Sequence, residues 1–275
     1  MRVPVLLFAS LLAVQARGQS PAAPIAPAMP PPNAGNNIES EIARLRLALA
    51  REVPHLIRDE PARAAEWVAL ARAQLAAGGD KIERAQLMVA VDRNPRVQQM
   101  RILLARSNGP WQDLGGTKVS TGQAHRVGYF ITPRGVFKHT DVILDWRAEG
   151  TFNENHIRGL GLKGMRVWDF GWRKARRGWG NVPEEDDIVL LLHATDPVYL
   201  EPRLGHPASK GCVRIPAAMN RFLDRHGVLD REYEIAAKSD IRFRALLRPD
   251  RTPTPLAGDR MVVFDSAEPA ASVGQ

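Results

Sequence analysis

The chain contains one cysteine, Cys212, among 275 residues. A single thiol excludes an intrachain disulfide and every CxxC metal or redox motif, and it leaves that thiol to be accounted for on its own. No stretch reaches the ~20 apolar residues that span a bilayer, so a membrane-embedded helix is not expected. HExxH, GxSxG and Ser-x-x-Lys are all missing, which removes the metal ligands or nucleophile of a zincin, an α/β-hydrolase and a serine penicillin-binding enzyme. His125, His139 and His156 are scattered without metal-ligand spacing, so no metal site is assigned. What is present is ordinary: 44% hydrophobic and 25% charged residues exclude a collagen-like, coiled-coil or wholly disordered chain. The charge is +8, which permits attraction to nucleic acid, an anionic membrane or an acidic polymer without choosing among them.

Met1-Arg2, the apolar run Val5 to Val14 and the small-residue pattern Val14-Gln15-Ala16 predict a secretory signal peptide over 1–16. Residues 17–37 are rich in proline and alanine and read as an extended linker. Ile42, Leu45, Leu49 and Val53 recur at helical spacing, and a second helix carries Trp67, Leu70, Ala71 and Leu75 up to Gly78-Gly79. Asp80 with Glu83 predicts a capped third helix ending near Asn94-Pro95, continued helically by Val97 to Ala105. The reading is therefore an all-α module over 38–108, with one weak tetratricopeptide-like unit and no repeat array. After Gly109-Pro110 the pattern turns to short β-rich runs: Lys118 to Ser120, Val127 to Ile131, Val142 to Trp146, Met165 to Phe170, Ile188 to Leu192 and Met261 to Phe264. Thr132-Pro133-Arg134-Gly135 suits a type I turn, helix returns at Ala217 to His226, and 265–275 reads as a disordered tail. The expected fold class is α+β: a mainly-β, sandwich-like domain over 110–264 behind the helical module.

The chemistry concentrates in His193-Ala194-Thr195 and, further on, Ser209-Lys210-Gly211-Cys212-Val213-Arg214. A thiol must lose its proton to attack a carbonyl, and an imidazole brought beside it takes that proton. His193 closes an apolar strand and suits this role. Gly211 allows close backbone approach, amides around Cys212 can receive an oxyanion, and Arg214 can hold a carboxylate. A catalytic thiol of this kind should alkylate faster at neutral pH than a free one.

Together these residues resemble the signature of the YkuD-type L,D-transpeptidases of bacterial cell walls: a His, a spacer, then Ser/Thr-His-Gly-Cys and an Arg two places on. Fifteen residues separate His193 from Ser209, inside the spacing that signature allows. Val119-Ser120-Thr121-Gly122 and Thr132-Pro133-Arg134-Gly135-Val136-Phe137 also resemble the family's upstream segments. The likeness covers roughly residues 110 to 264. It implies Cys212 as nucleophile, His193 as general base, the Ala194 carbonyl as orienting partner of the imidazole, and Arg214 beside the thiol. It further implies no cofactor, and a reaction in which the amide after a diamino acid of a stem tetrapeptide is exchanged for a thioester, then passed to an amine.

Lys210 departs from the family, which has His before Gly-Cys. An ammonium there can attract a carboxylate but is not a near-neutral base, and His206 is considered in its place. Ser209 serves either the substrate or the turn. The expected partners are peptidoglycan stem peptides and glycan, with no nucleic acid and no stable membrane insertion, in the periplasm or cell envelope. Two alternatives stand beside this reading: an L,D-carboxypeptidase or amidase on the same scaffold, and a non-catalytic peptidoglycan-binding module. Gly159-Leu-Gly161-Leu-Lys-Gly164 matches GxGxxG but precedes a strand rather than a helix, so a dinucleotide site is not assigned. The run Trp172 to Gly180 interleaves aromatics with cations and reads as a surface for glycan and stem peptide rather than nucleic acid.

Overall fold

A computed structural model describes residues 36–181 and 183–270. The expected signal peptide, the expected linker up to residue 35 and the last five residues lie outside that range. Two helices come first, α1 (Asn36–Glu52) and α2 (Pro61–Ala77). Strands β1 (Gln86–Asp92), β2 (Gln99–Ala105), β3 (Gln112–Lys118), β4 (Gly135–Lys138), β5 (Trp146–Arg147), β6 (Arg166–Arg176), β7 (Glu185–Ala194) and β8 (Val213–Ile215) follow. Helices α3 (Ala217–His226), α4 (Arg231–Ala236) and α5 (Ile241–Leu246) precede the last strand, β9 (Arg260–Phe264). The fold class is α+β, as expected.

The strands form two sheets, ordered β3-β2-β1-β9-β4 and β5-β6-β7-β8. Pairing is antiparallel except for β1 with β9 and β7 with β8, which run parallel. Leu87, Val89, Val91, Ile102, Met261 and Val263 of the first sheet share one buried cluster with Trp168, Phe170, Leu190, Leu192, Val213 and Ile215 of the second. The same cluster takes in Ile42, Leu45, Leu49 and Val53 of α1 and Met219, Phe222 and Leu223 of α3. The other face of the first sheet is covered by α2, whose Trp67, Ala71 and Leu75 recur every fourth residue and meet Met88, Ala90, Val262 and Phe264.

This double covering corrects the N-terminal expectation. The third helix and its continuation to Ala105 are strands β1 and β2, and Asp80, expected to cap that helix, instead pairs with Arg260 and Lys138. Every β1 residue is buried. A strand covered on both faces shows an unbroken apolar run instead of alternation, so periodicity alone does not separate it from a buried helix. The two real helices pack on the sheets, and β1 is paired on one side with β9 from the far end of the chain.

Other local expectations shift as well. Val127 to Ile131 forms no strand beyond a bridge from Phe130 to Arg177, and Val142 to Trp146 contributes only the start of β5. Thr132 to Arg134 carries no turn and leads directly into β4. Residues 265–270, read as the start of a disordered tail, are anchored. Asp265 is buried against Arg93, the Ser266 amide donates to Asp92, and Glu268 reaches Arg93 and Arg134. Helix α3 matches its expected span and ends on Gly227, whose φ of 59° is the left-handed closure glycine accepts without steric cost.

Candidate active site

Alternation along β7 sends Leu190 and Leu192 into the core and leaves Leu191 and His193 on the opposite face. On β8, Val213 and Ile215 point inward, so Arg214, and Cys212 before it, take that same outer face. The parallel register pairs His193 with Arg214 and Leu192 with Val213, which sets Cys212 beside Leu191. The thiol, the imidazole and the guanidinium predicted from sequence are thus brought to one face of adjacent strands.

The imidazole is held by its own chain. His193 is buried, and Nδ1 lies 2.6 Å from the Ala194 carbonyl oxygen. A carbonyl only accepts, so Nδ1 carries the proton and Nε2 keeps a lone pair for a substrate or thiol proton. Burial, then the positive charge of Arg214, lower the His193 pKa to about 4, against the bond to Ala194. The ring is therefore neutral at neutral pH and competent as a base.

The Cys212 thiol is turned along β7, with Sγ 3.6 Å from the Val189 carbonyl oxygen. Burial pushes its pKa up. The backbone at Leu191 and the charge of Arg214 oppose this, and Asp169 adds to it. Burial thereby reverses the expectation of rapid alkylation: the resting thiol is more fully protonated than a free one. Arg214 donates from Nη1 to the Ala208 carbonyl at 3.2 Å, and its pKa is lowered by burial.

The loop that presents Cys212 is braced by residues far away in sequence. Ser209 Oγ donates to the Cys212 carbonyl at 2.6 Å and accepts the Gly211 amide at 3.0 Å, so Ser209 shapes the turn and the Gly211 N–H is already engaged. Thr132 Oγ1 donates to the Gly211 carbonyl at 2.7 Å and accepts the Gly122 amide at 2.8 Å. The Thr121 carbonyl accepts the amides of Ala208 and Ser209, and the Ser120 backbone exchanges hydrogen bonds with Arg214. Gln98, fully buried, accepts the Thr121 amide at 2.8 Å. The two upstream motifs are therefore the frame of the cysteine loop. Gly211 has φ 129°, and a Cβ there would stand 2.7 Å from Ile188 Cδ1, so both backbone and space require glycine.

Thr132 and Gln98 were missed as positioning residues. The Thr132 segment carried a turn reading and a family resemblance but no role for the threonine itself, and nothing around Gln98 marked it. Lys210 is exposed with Nζ 5.9 Å from the Tyr129 ring centroid. His206 is exposed, and among the described residues no hydrogen bond or ion pair joins it to Cys212. The basic run after Trp172 lies on β6 and the turn beyond it. It is neutralised in part across the ladder, with Lys174 paired to Asp187 and Arg177 to Asp186 and Glu184. Trp172 is exposed, while Trp179 packs edge-on against Phe130. A separate hollow, lined by Trp146, Phe152, Asn153, Ile157 and Gly161 among others, excludes both Cys212 and His193. Among the described residues no group of three or more His, Cys, Asp or Glu side chains could hold a metal ion, and no helix is long and apolar enough to cross a membrane.

No protein-family model matches the chain, and no curated protein matches it. Among solved structures it is similar to a fused Zn-dependent amidase/peptidase/peptidoglycan-binding domain-containing protein from Clostridium acetobutylicum. The identity is 12% and the TM-score 0.27, over 76% of this chain and 65% of that one. The chain spans less than two thirds of that protein's length, and an overlap at this score carries no argument about fold or chemistry.

Proposed function

We propose that the protein is a cysteine acyltransferase acting on peptidoglycan stem tetrapeptides, an L,D-transpeptidase in reaction type. The observation that carries the reading is the register of β7 with β8, which sets His193 opposite Arg214 and Cys212 one step along on the same face. The signature motifs agree with it, and the N-terminal signal-like segment supports export to the cell envelope, where that substrate lies.

In the reaction, a rotation of the Cys212 side chain away from Val189 turns Sγ toward Nε2 of His193. As Sγ attacks the carbonyl carbon of the diamino acid, the thiol proton passes to Nε2. Collapse of the tetrahedral adduct breaks the C–N bond, His193 returns the proton to the departing D-alanine amine, and a thioester remains on Cys212. An acceptor amine then attacks the thioester carbonyl, gives its proton to Nε2, and releases Cys212 as the thiol. Arg214, beside the thiol and with its buried Nε unpartnered, is placed to hold a negative oxygen of the donor. Exposed Lys210 adds attraction for the peptide carboxylate.

Incubation of the mature protein with disaccharide-tetrapeptide tests the reading. Cross-linked dimer with released D-alanine supports it. Tripeptide without dimer reassigns the scaffold to a carboxypeptidase, in which water outruns the amine. No product, with sacculus binding that survives Cys212→Ala, favours a binding module instead.

A further inference from the structure

Asp169 is a carboxylate that the acyl-transfer steps do not use, yet it lies in the row of the nucleophile. On β6 it pairs with Leu191 of β7, and Leu191 stands beside Cys212, so carboxylate, leucine and thiol form one cross-strand row on the outer face. Two interstrand spacings, roughly 10 Å, separate the ends of that row. The half-buried Leu191 side chain makes an apolar floor between them.

The carboxylate is aimed by its surroundings. The β6–β7 register shifts between Asp169 and Trp172, and bulges of this kind redirect side chains beside functional sites. Gly171, at φ 78°, donates its amide to Asp169 Oδ1 at 2.7 Å. The Asp169 amide in turn donates to Asp145 Oδ1 at 2.8 Å, and Asp145 is buried and fixed by Arg166 and His139. Oδ2 takes no hydrogen bond among the described residues, and no Lys, Arg or His stands in ion-pair contact with Asp169. Burial, and then the charge of Asp145, raise its pKa against the Gly171 bond and the positive charges of His139 and Arg173, and its own charge disfavours the Cys212 thiolate. A fixed, half-buried carboxylate beside a nucleophile, with Arg173 and His139 acting on it only from beyond ion-pair distance, is a receptor for an incoming cation.

We propose that Asp169 determines donor specificity by receiving the side-chain ammonium of the diamino acid whose carbonyl Cys212 attacks. The aliphatic stem of that residue lies across Leu191. This assignment rests on the stem-peptide reading above.

The test compares two synthetic tetrapeptides that differ only at the third residue, one with a lysine-type side chain and one with a norleucine-type chain lacking the amine. The acylation rate of Cys212 is followed by mass spectrometry in wild type and Asp169→Asn, which retains an acceptor for the Gly171 amide. Wild type should prefer the amine peptide by about tenfold or more, the size of a charge-assisted hydrogen bond. Asp169→Asn should lose that preference, the ratio of its two acylation rates falling to about one whatever the change in absolute rate that the freer thiol brings. Acylation without preference in wild type, or a preference retained in Asp169→Asn, overturns the assignment and leaves the acyltransferase reading standing. Wild type that acylates with neither peptide overturns both.

Discussion

Three side chains, His193 on β7, Arg214 on β8 and Cys212 just before it, carry the proposed chemistry at the residue scale, and their protonation gives it a pH signature. Because burial and Arg214 hold His193 near a pKa of about 4, its ring is already neutral well below pH 6.5. The acylation rate at Cys212 should therefore stay level from pH 7 down to about pH 5 and fall only on approaching pH 4. A decline centred on the ordinary histidine value, measured by pH-jump acylation, would contradict this tautomer and environment. The raised thiol pKa makes a second prediction. Cys212 in the resting protein should react with iodoacetamide at pH 7.5 more slowly than a free cysteine does, and its rate should still be climbing at the pH where that of a free cysteine has levelled off. Removing the negative charge with Asp169→Asn should speed that labelling. Fast labelling of wild type at neutral pH would show instead that the thiol is activated before substrate arrives.

The cysteine loop depends at the element scale on Thr132, 79 residues away from Gly211 in sequence. Thr132→Val keeps the shape and removes both bonds, leaving the Gly211 carbonyl and the Gly122 amide unpaired in a buried site. The expected cost is about 2 kcal/mol of stability. Acylation should fall further than the stability loss alone explains, because Cys212 no longer has a fixed turn. Urea unfolding and acylation rates on the same variant check both, and unchanged rates would remove Thr132 from the frame. How much of this was readable in advance follows from where each signal lies along the chain. His193, Cys212 and Arg214 were legible because the chemistry imposes residue types at short, defined spacing. Helix α3 was legible because its amphipathic face meets a single core. Strands β1 and β2 were not, because covering on both faces erases the alternation that identifies a strand. The bracing by Thr132, Gln98 and Thr121 is tertiary, and a single sequence carries no mark of which distant carbonyl a threonine will meet.

The two helices and the strands that follow them share the core of the whole molecule with the site. Strand β1 is inserted between β2 and β9, and α1 seals the same cluster that backs β7 and β8. A fragment spanning residues 110–264 alone should therefore fail to fold: it would leave Met261 and Val263 of β9 without their parallel partner. A cooperative urea transition from that fragment would contradict this account. Beneath the site lies a buried ionic cluster in which Arg166 meets Asp145, Asp224 and Asp230, and Arg251 meets Asp230 and Glu234. His139 donates from both ring nitrogens, to the Leu229 carbonyl and to Asp145, each at 2.9 Å, and so is an imidazolium. Burial pulls its pKa down, but Asp145 outweighs this, and the net shift is upward. Its stabilising contribution is complete below pH 6.5 and is lost as pH rises through the raised native value. His193 and His226, both held low chiefly by burial, act in the opposite sense and remove stability as pH falls below 6.5. Urea midpoints should thus be highest near neutrality, and His139→Gln should flatten the alkaline side alone. The central claim, that Cys212 carries a covalent acyl intermediate, is tested most directly by the intact mass of protein quenched during turnover of disaccharide-tetrapeptide. The account predicts an adduct equal to the substrate less D-alanine on wild type and none on Cys212→Ala; no adduct on a wild type that turns over substrate, or the same adduct on Cys212→Ala, would contradict it.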